Sequence, residues 1–506
     1  MKDIYKILKE CYGYSSFRPG QLEIIEQILA GRDVLAVMPT GAGKSICYQV
    51  PALAFEGITL VVSPLISLMQ DQVQALISMG VRGAYINSSL TTGQISTALR
   101  NAKNGMYKII YVAPERLMTE RFLDFAKNVS IPLLAVDEAH CISQWGHDFR
   151  PGYLQIADFI KTLPKRPSVA AFTATATKTV KSDIAKRLEL QTPYQITTGF
   201  DRPNLYFEVD KPTDKDSFLL QYLRQNSDQS GIIYCATRKN VDKVHALLEK
   251  YNFSSLPYHA GMSDEQRAKN QSDFVYDRVK IIVATNAFGM GIDKPNVRFV
   301  IHYNMPQNIE SYYQEAGRAG RDGEKAECIL LYSPKDVRLN RFFIDKSAET
   351  CTLSGDDRTA YLEEENEKLK MMTFYSTSKT VCLRRRLLQY FGDRSDYQCH
   401  NCSVCNGTSS EAAFQYVSKP KETVQEVVYE TDKDLMDRLK RLRTALARKN
   451  SVPAYVIFSD ATLREMSALR PMNENALLQV TGVGYRKLEL YGKAFLNEIR
   501  DYVRGD

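Results

Sequence analysis

The stretch Met38-Pro-Thr-Gly-Ala-Gly-Lys-Ser45 gathers the groups that hold a polyphosphate. Gly41 and Gly43 let a backbone curl until its amides face one centre, and a helix starting there adds partial positive charge. Lys44 is then placed to meet the β- and γ-phosphates of a nucleoside triphosphate such as ATP, and the Ser45 hydroxyl to ligand Mg2+. Met38, Pro39, Thr40 and Ala42 complete the loop. Far along the chain, Asp137-Glu-Ala-His140 supplies what such a loop lacks. Asp137 would hold Mg2+, directly or through water, and Glu138 would orient and deprotonate an attacking water. Two adjacent buried acids are costly without a cation, so a metal-nucleotide accounts for them better than a structural role does.

Other residues extend this chemistry. Upstream, Tyr14, Arg18 and Gln21 suit an adenine base: a ring and a guanidinium to stack, and an amide offering both donor and acceptor to N6 and N7. Directly after the acids come Gln144, Trp145, His147, Phe149 and Arg150, which include the single Trp of the chain. A large aromatic beside a cation suits stacking on unpaired bases, and here such a contact would bias the neighbouring nucleotide site. The hydroxyls of Thr173-Ala-Thr175 are of a size to bond the carboxylates of the acid motif and report nucleotide state. In Tyr313-Gln-Glu-Ala-Gly-Arg-Ala-Gly-Arg-Asp-Gly323, Gln314 precedes Arg318 and Arg321, which share a face if the segment is helical. A fixed guanidinium there can neutralise charge at a γ-phosphate during transfer. Finally, Cys382, Cys399, Cys402 and Cys405 have the spacing of four thiolates on a tetrahedral Zn2+, a structural site with no open position. His400 lies inside the cluster as a spare, facing solvent.

Buried strands must carry these groups. Val34–Val37 precedes the glycine loop, and apolar runs recur at 59–63, 108–112, 133–136 and 169–172, separated by helical segments. The alternation predicts an α/β fold with a parallel sheet and helices on both faces, and ligands then lie beyond the carboxyl ends of the strands. A second alternating set begins with 231–235 and 280–284, after a charged stretch at 210–216.

A chain of 506 residues is too long for one core. Its 44% hydrophobic and 25% charged content is that of a soluble globular protein. No apolar run approaches the ~20 residues of a membrane span, and the N-terminus lacks a signal-peptide core, so a cytoplasmic protein without a membrane partner is expected. A net charge of +7 is mildly basic, in keeping with a nucleic-acid partner. The other six cysteines are scattered and read as ordinary thiols.

The ordered set Phe17-Arg-Pro-Gly-Gln21, the phosphate loop, 63–72, Asp137-Glu-Ala-His140 and 142–151 resembles the RecQ family of ATP-dependent DNA helicases over nearly the whole chain. Met38 in the place of the usual Gly is a form common in helicase-type motors. The resemblance implies two RecA-like motor domains, a small helical zinc-binding element and an all-α C-terminal HRDC bundle. We place them at 1–208, 209–338, 339–407 and 431–506, with a linker at 408–430. It implies that ATP hydrolysis drives 3′–5′ movement on single-stranded DNA and the opening of tailed or branched duplexes in repair, recombination and replication. It also implies that Arg321 or Arg318 is an arginine finger, that the aromatic loop couples DNA to hydrolysis, and that the loop at 284–293 touches backbone and nucleotide, with Asp293 on the ribose. A single-stranded-DNA-binding protein or a topoisomerase is the implied protein partner, and nucleoid association the implied location in a bacterium.

The chain departs from the fuller RecQ pattern after Cys405. A winged-helix domain of about a hundred residues follows there in the family, and 406–431 leaves no room for it. Its absence favours weighing a DNA-stimulated translocase or annealing factor beside the helicase; an RNA helicase fits the cysteine cluster and tail poorly. In the tail, Leu435, Leu439, Leu442 and Leu446 recur at helical spacing, with Arg438, Arg441, Arg443 and Lys449 as the polar complement. The amides of Gly482-Val-Gly484 are candidates for a phosphate. The charged run 356–370 reads as an exposed helix.

Overall fold

The structure, a computed structural model, describes residues 3–143, 149–288, 294–350, 355–393, 398–407, 432–450 and 452–504. Contacts divide the chain into two compact units, the first built mainly from 1–199 and 428–506, the second from 200–289 and 294–427.

In the first unit, short runs of consecutive apolar residues become strands with both faces covered, as parallel sheets demand. They are β1 (Val34–Val37), β2 (Thr59–Val62), β3 (Gly83–Ile86), β4 (Ile109–Val112), β5 (Leu133–Val136), β6 (Ser168–Thr173) and β7 (Tyr194–Thr197). All pair in parallel, in the order β3-β4-β2-β5-β6-β1-β7. β6 thus stands between β1, which feeds the phosphate loop, and β5, which feeds the acids. Residues such as Ile24, Tyr48, Tyr111 and Phe172 fill the core beside them.

The C-terminal bundle belongs to this unit. Its helices, among them Lys433–Asn450, Asp460–Leu469 and Lys493–Arg504, close over Leu435, Leu439, Phe458, Leu463, Val483 and Phe495. Leu442 and Leu446 flank that core. Arg443 is not on the polar face: it is buried, donates to the Phe458 carbonyl at 2.8 Å and pairs with Asp460 at 2.7 Å. The bundle sits against the N-terminal helical segment. Lys9 Nζ donates to the Leu478 carbonyl at 2.8 Å, and the Gly482 amide to the Gly13 carbonyl at 3.2 Å. That amide, expected to be available to a phosphate, is therefore occupied.

The second unit holds β8 (Leu205–Asp210), β9 (Gly231–Tyr234), β10 (Ser255–Tyr258), β11 (Ile281–Ala284), β12 (Phe299–His302) and β13 (Ala326–Leu331), parallel and ordered β10-β11-β9-β12-β13-β8. The expected domain boundary after residue 208 falls inside β8, which pairs with β13 over its full length. The first stretch of the first unit ends at Gly199, so the charged stretch at 210–216 marks the exit from an edge strand rather than a domain join. The helix Asp356–Thr377 is also less exposed than its charge implied. Glu365 and Lys368 are buried and bonded to each other at 2.8 Å, and Leu369, Met372 and Tyr375 are buried beside them.

Candidate active site and metal centre

The phosphate loop leaves β1 at Met38, whose amide bonds the Thr173 carbonyl of β6 at 2.9 Å. Gly41 and Gly43 adopt φ of +81° and +80°, conformations that an L side chain resists. A Cβ on Gly43 would also lie 2.5 Å from Gln21 Nε2, so the Gln21 amide would have to move. Lys44 opens the helix Lys44–Ala54, and its Nζ rests on the Met38 carbonyl at 3.3 Å. Gln21 ties the adenine-type loop to this one. Its Nε2 donates to the carbonyls of Ala42 and Gly43 at 3.0 and 3.2 Å, and its Oε1 accepts from the Arg18 amide at 2.9 Å. Arg18 reaches the Gly41 carbonyl at 2.6 Å, while Tyr14 is half-buried.

Across β6, the acid motif is held hard. The Asp137 amide bonds the Val62 carbonyl of β2 at 2.9 Å, and the Asp137 carbonyl accepts from the Tyr153 hydroxyl at 2.8 Å. Burial pushes the Asp137 carboxyl up to about 7; the Glu138 charge adds to the rise and Lys44 opposes it. Glu138 itself adopts φ +47°, a left-handed conformation that costs a non-glycine residue on the order of 1–3 kcal/mol. Its Oε2 is shielded from solvent and takes no hydrogen bond among the described residues, standing 3.4 Å from His140 Nδ1. A buried carboxylate oxygen left open in this way, beside a second acid, fits a site that receives a cation and a polarised water.

The hydroxyl of Thr173 bonds His140 Nδ1 at 2.9 Å, so β6 meets the acid motif through its imidazole rather than directly at a carboxylate. The sequence marks the Thr173 hydroxyl as a partner of the carboxylates, and the structure gives it the imidazole instead; the Tyr153 bond is not marked there, since it carries no periodic signal. Of the aromatic loop, Gln144, Trp145 and His147 lie outside the described residues, as does Asp293. Arg150 is described, and donates to the Pro64 carbonyl at 2.9 Å; Phe149 is half-buried.

In the second unit the helix Ile309–Ala316 carries Gln314 and ends before the arginines. Arg318 and Arg321 stand on the turns that follow, held by amide bonds from Arg318 to Glu315 and from Ala319 to Ala316, at 3.2 and 3.0 Å. Arg318 is buried and Arg321 half-exposed.

The four cysteines converge although Cys382 is remote in sequence. Their sulfurs all lie within 4.8 Å of one another, with Cys399–Cys405 and Cys382–Cys402 each at 3.9 Å. Sulfurs about 2.3 Å from a tetrahedral zinc stand roughly 3.8 Å apart, so the donor set fits Zn2+. Cys382 caps the helix Leu383–Tyr390, and Ser403 bonds the Phe207 carbonyl of β8 at 2.9 Å. Arg384, on that helix, reaches Asp201 and the Arg202 carbonyl at 2.6 Å each. The cluster thereby staples the post-motor helices to the edge of the second sheet. His400 is exposed.

Two all-parallel sheets in succession, the first feeding a phosphate loop and the adjacent acids Asp137 and Glu138, are the architecture of an ATP-hydrolysing helicase motor. The solved structure of the DEAD-box helicase Mss116 bound to ssRNA and UDP-BeF shares the fold. It has a TM-score of 0.54 and 17% identity over 69% of this chain and 77% of that one. Four family models match: DEAD/DEAH box helicase at 18–182, helicase conserved C-terminal domain at 214–323, RecQ zinc-binding at 334–406 and HRDC domain at 432–499. The ATP-dependent DNA helicase RecQ of Bacillus subtilis is 38% identical over 98% of each chain. A protein of Acanthamoeba polyphaga mimivirus, provisionally named an ATP-dependent RNA helicase, is 41% identical over 84% of this chain and 75% of its own. The chain belongs to the RecQ helicase family.

Proposed function

We propose that this chain is a DNA helicase that couples Mg-ATP hydrolysis to 3′–5′ movement on single-stranded DNA and to strand separation in repair and recombination. The observation that carries the reading is the pairing of a glycine-shaped phosphate loop with two adjacent acids across β6, Asp137 buried and Glu138 in a left-handed conformation. Near full-length similarity to RecQ of Bacillus subtilis, named a DNA helicase, supports DNA over RNA.

Each residue has a role in this reading. Loop amides and Lys44 bind the triphosphate, and Ser45 and Asp137 hold Mg2+, which when bound neutralises the phosphate oxygens. Glu138 takes the proton of the attacking water through its Oε2, which accepts no hydrogen bond among the described residues and has His140 Nδ1 3.4 Å away. Tyr14, Arg18 and Gln21 receive the adenine, and the Gln21 bonds to Ala42 and Gly43 open as the base enters. Arg321, the less buried of the pair, is the finger for the γ-phosphate, with Arg318 fixing the turn beside it. Trp145 and its neighbours sense DNA, and Asp293 meets the ribose. A single-stranded-DNA-binding protein or topoisomerase is the protein partner this reading implies, on the nucleoid if the source is bacterial.

ATP turnover with single-stranded DNA, single-stranded RNA and no nucleic acid tests it. Stimulation by DNA alone, abolished in Lys44→Ala, is expected. Equal stimulation by RNA would overturn the substrate assignment.

A further inference from the structure

The helix Ile309–Ala316 stops before Arg318, and the carbonyls of the turn that follows need donors from outside the helix. Arg202 supplies three of the bonds. Its Nη1 donates to the Gly317 carbonyl at 3.3 Å, and its Nη2 to the carbonyls of Ala319 and Gly320 at 3.0 and 2.8 Å. Two of these carbonyls flank Arg318, and the third directly precedes Arg321. Asn204 adds a second hold, from its Nδ2 to the carbonyls of Gly320 and Glu324 at 2.8 Å each. Gly320 itself has φ +54°, and a Cβ on it would lie 2.6 Å from the Glu324 carbonyl oxygen, so the turn closes only on glycine. A guanidinium suits this task. It is a rigid planar fork of donors with no acceptor, so it can hold several carbonyls at fixed angles, and its charge opposes the negative end of the helix.

Arg202 is anchored in turn. The buried Arg384 donates through Nη1 to the Arg202 carbonyl and to Asp201 Oδ1 at 2.6 Å each, and its Nη2 reaches the Leu205 carbonyl. Beside them the Phe200 ring stacks on Phe391 with centroids 4.7 Å apart, and the Phe200 carbonyl accepts from the Tyr313 hydroxyl at 2.6 Å. The backbone at 200–205 is thus fixed by the helix Leu383–Tyr390 and its neighbour Phe391, while two side chains of the same segment grip the arginine turn. We propose that Arg202 is a positioning residue for ATP turnover: it sets the shape of the turn 317–320, and through it the aim of Arg318 and Arg321. The inference rests on the reading of those two arginines as the nucleotide-facing pair.

Arg202→Lys keeps the charge and loses the fork. With saturating single-stranded DNA, kcat for ATP is expected to fall at least tenfold. Affinity for a non-hydrolysable ATP analogue and for DNA should stay within twofold, while affinity for ADP with aluminium fluoride, which mimics the transferring phosphoryl group, should fall at least tenfold. Arg386→Lys is the control. It removes a guanidinium bonded to the Phe374 carbonyl at 3.3 Å, away from the turn, and parental kcat is expected. In whichever of Arg318→Ala and Arg321→Ala is the more impaired, Arg202→Lys should add less than a twofold loss, since residues acting through one another are not additive. Asn204→Ala, which removes the second hold on Gly320, gives an independent reading: kcat should fall at least threefold with ATP-analogue affinity kept. Losses that multiply, ground-state ATP affinity falling as far as kcat, or parental kcat in Arg202→Lys or Asn204→Ala while either arginine variant is impaired would overturn the inference alone. A parental kcat in both Arg318→Ala and Arg321→Ala would remove the arginine reading and the inference with it.

Discussion

The Gly482 amide donates to the Gly13 carbonyl at 3.2 Å, and the two backbones touch there with nothing between them. Gly13 has φ +75°, and a Cβ on it would lie 2.7 Å from Gly482 C and Val483 N. Gly484 is equally closed, 2.8 Å from the Glu10 carbonyl oxygen. The bundle can dock only because glycine stands on both sides.

Gly13→Ala is therefore expected to release the bundle. Hydrogen exchange at the Gly482 amide should rise at least tenfold, while amides inside the bundle core, such as Leu463, keep their protection. The control is Gly80→Ala, with φ +79° but open space around it. It carries a similar backbone cost of about 1–2 kcal/mol and should leave Gly482 protected. Unchanged Gly482 exchange in Gly13→Ala would contradict the docking.

Glu138→Gln preserves shape and removes the base. ATP and DNA affinities should stay within about threefold, while turnover drops on the order of 10²–10⁴-fold. Equilibrium nucleotide binding and steady-state ATPase on one preparation separate the two effects. Turnover near the parental rate would remove Glu138 from the mechanism.

The Asp137 carboxyl, pushed up to about 7, sets a pH dependence. A cation needs the carboxylate, so apparent Mg2+ affinity should weaken as pH falls through 7, approaching tenfold per unit below it. For the protein without Mg2+ the sign on stability is opposite. The folded state holds this proton more tightly than the unfolded chain, so the contribution is full below about 4 and is lost as pH rises through 7. The melting-temperature gain on adding Mg-nucleotide should be larger at pH 8 than at pH 6. Glu138→Gln removes a like charge and should move the Mg2+ midpoint to lower pH; an unmoved midpoint would mean that the two carboxyls do not interact.

Cys402 is buried and sits beside Phe207 on β8, so the metal and the sheet edge share an anchor. Cys402→Ser should lose the zinc and at least about 3 kcal/mol, roughly 6–12 °C in the melting of the second unit. His400→Ala should keep its zinc, because His400 is exposed. Metal analysis and calorimetry check both; zinc lost with His400→Ala would make the histidine a ligand.

Strands, phosphate loop and cysteine cluster were legible in the sequence because each is local: an apolar run, a glycine spacing, a thiolate spacing. What escaped is set by partners distant in the chain. Arg443 looked like part of a solvated face, yet Phe458 and Asp460 draw it inward. β8 is a half-buried edge strand with alternating exposure, so it lacked the apolar signal of its neighbours. Glycines 13, 482 and 484 gave no sign that they would meet each other.

The most direct test of the account is strand separation of a 3′-tailed DNA duplex with ATP hydrolysis followed in the same tube, against 5′-tailed DNA and RNA duplexes. Only 25 residues, 407–431, lie between the zinc-binding and HRDC matches, so the duplex must be opened without a domain in that interval. The account predicts ATP-dependent opening of the 3′-tailed DNA alone. DNA-stimulated hydrolysis with no separation would contradict it, and would make the chain a translocase that depends on a partner to part the strands.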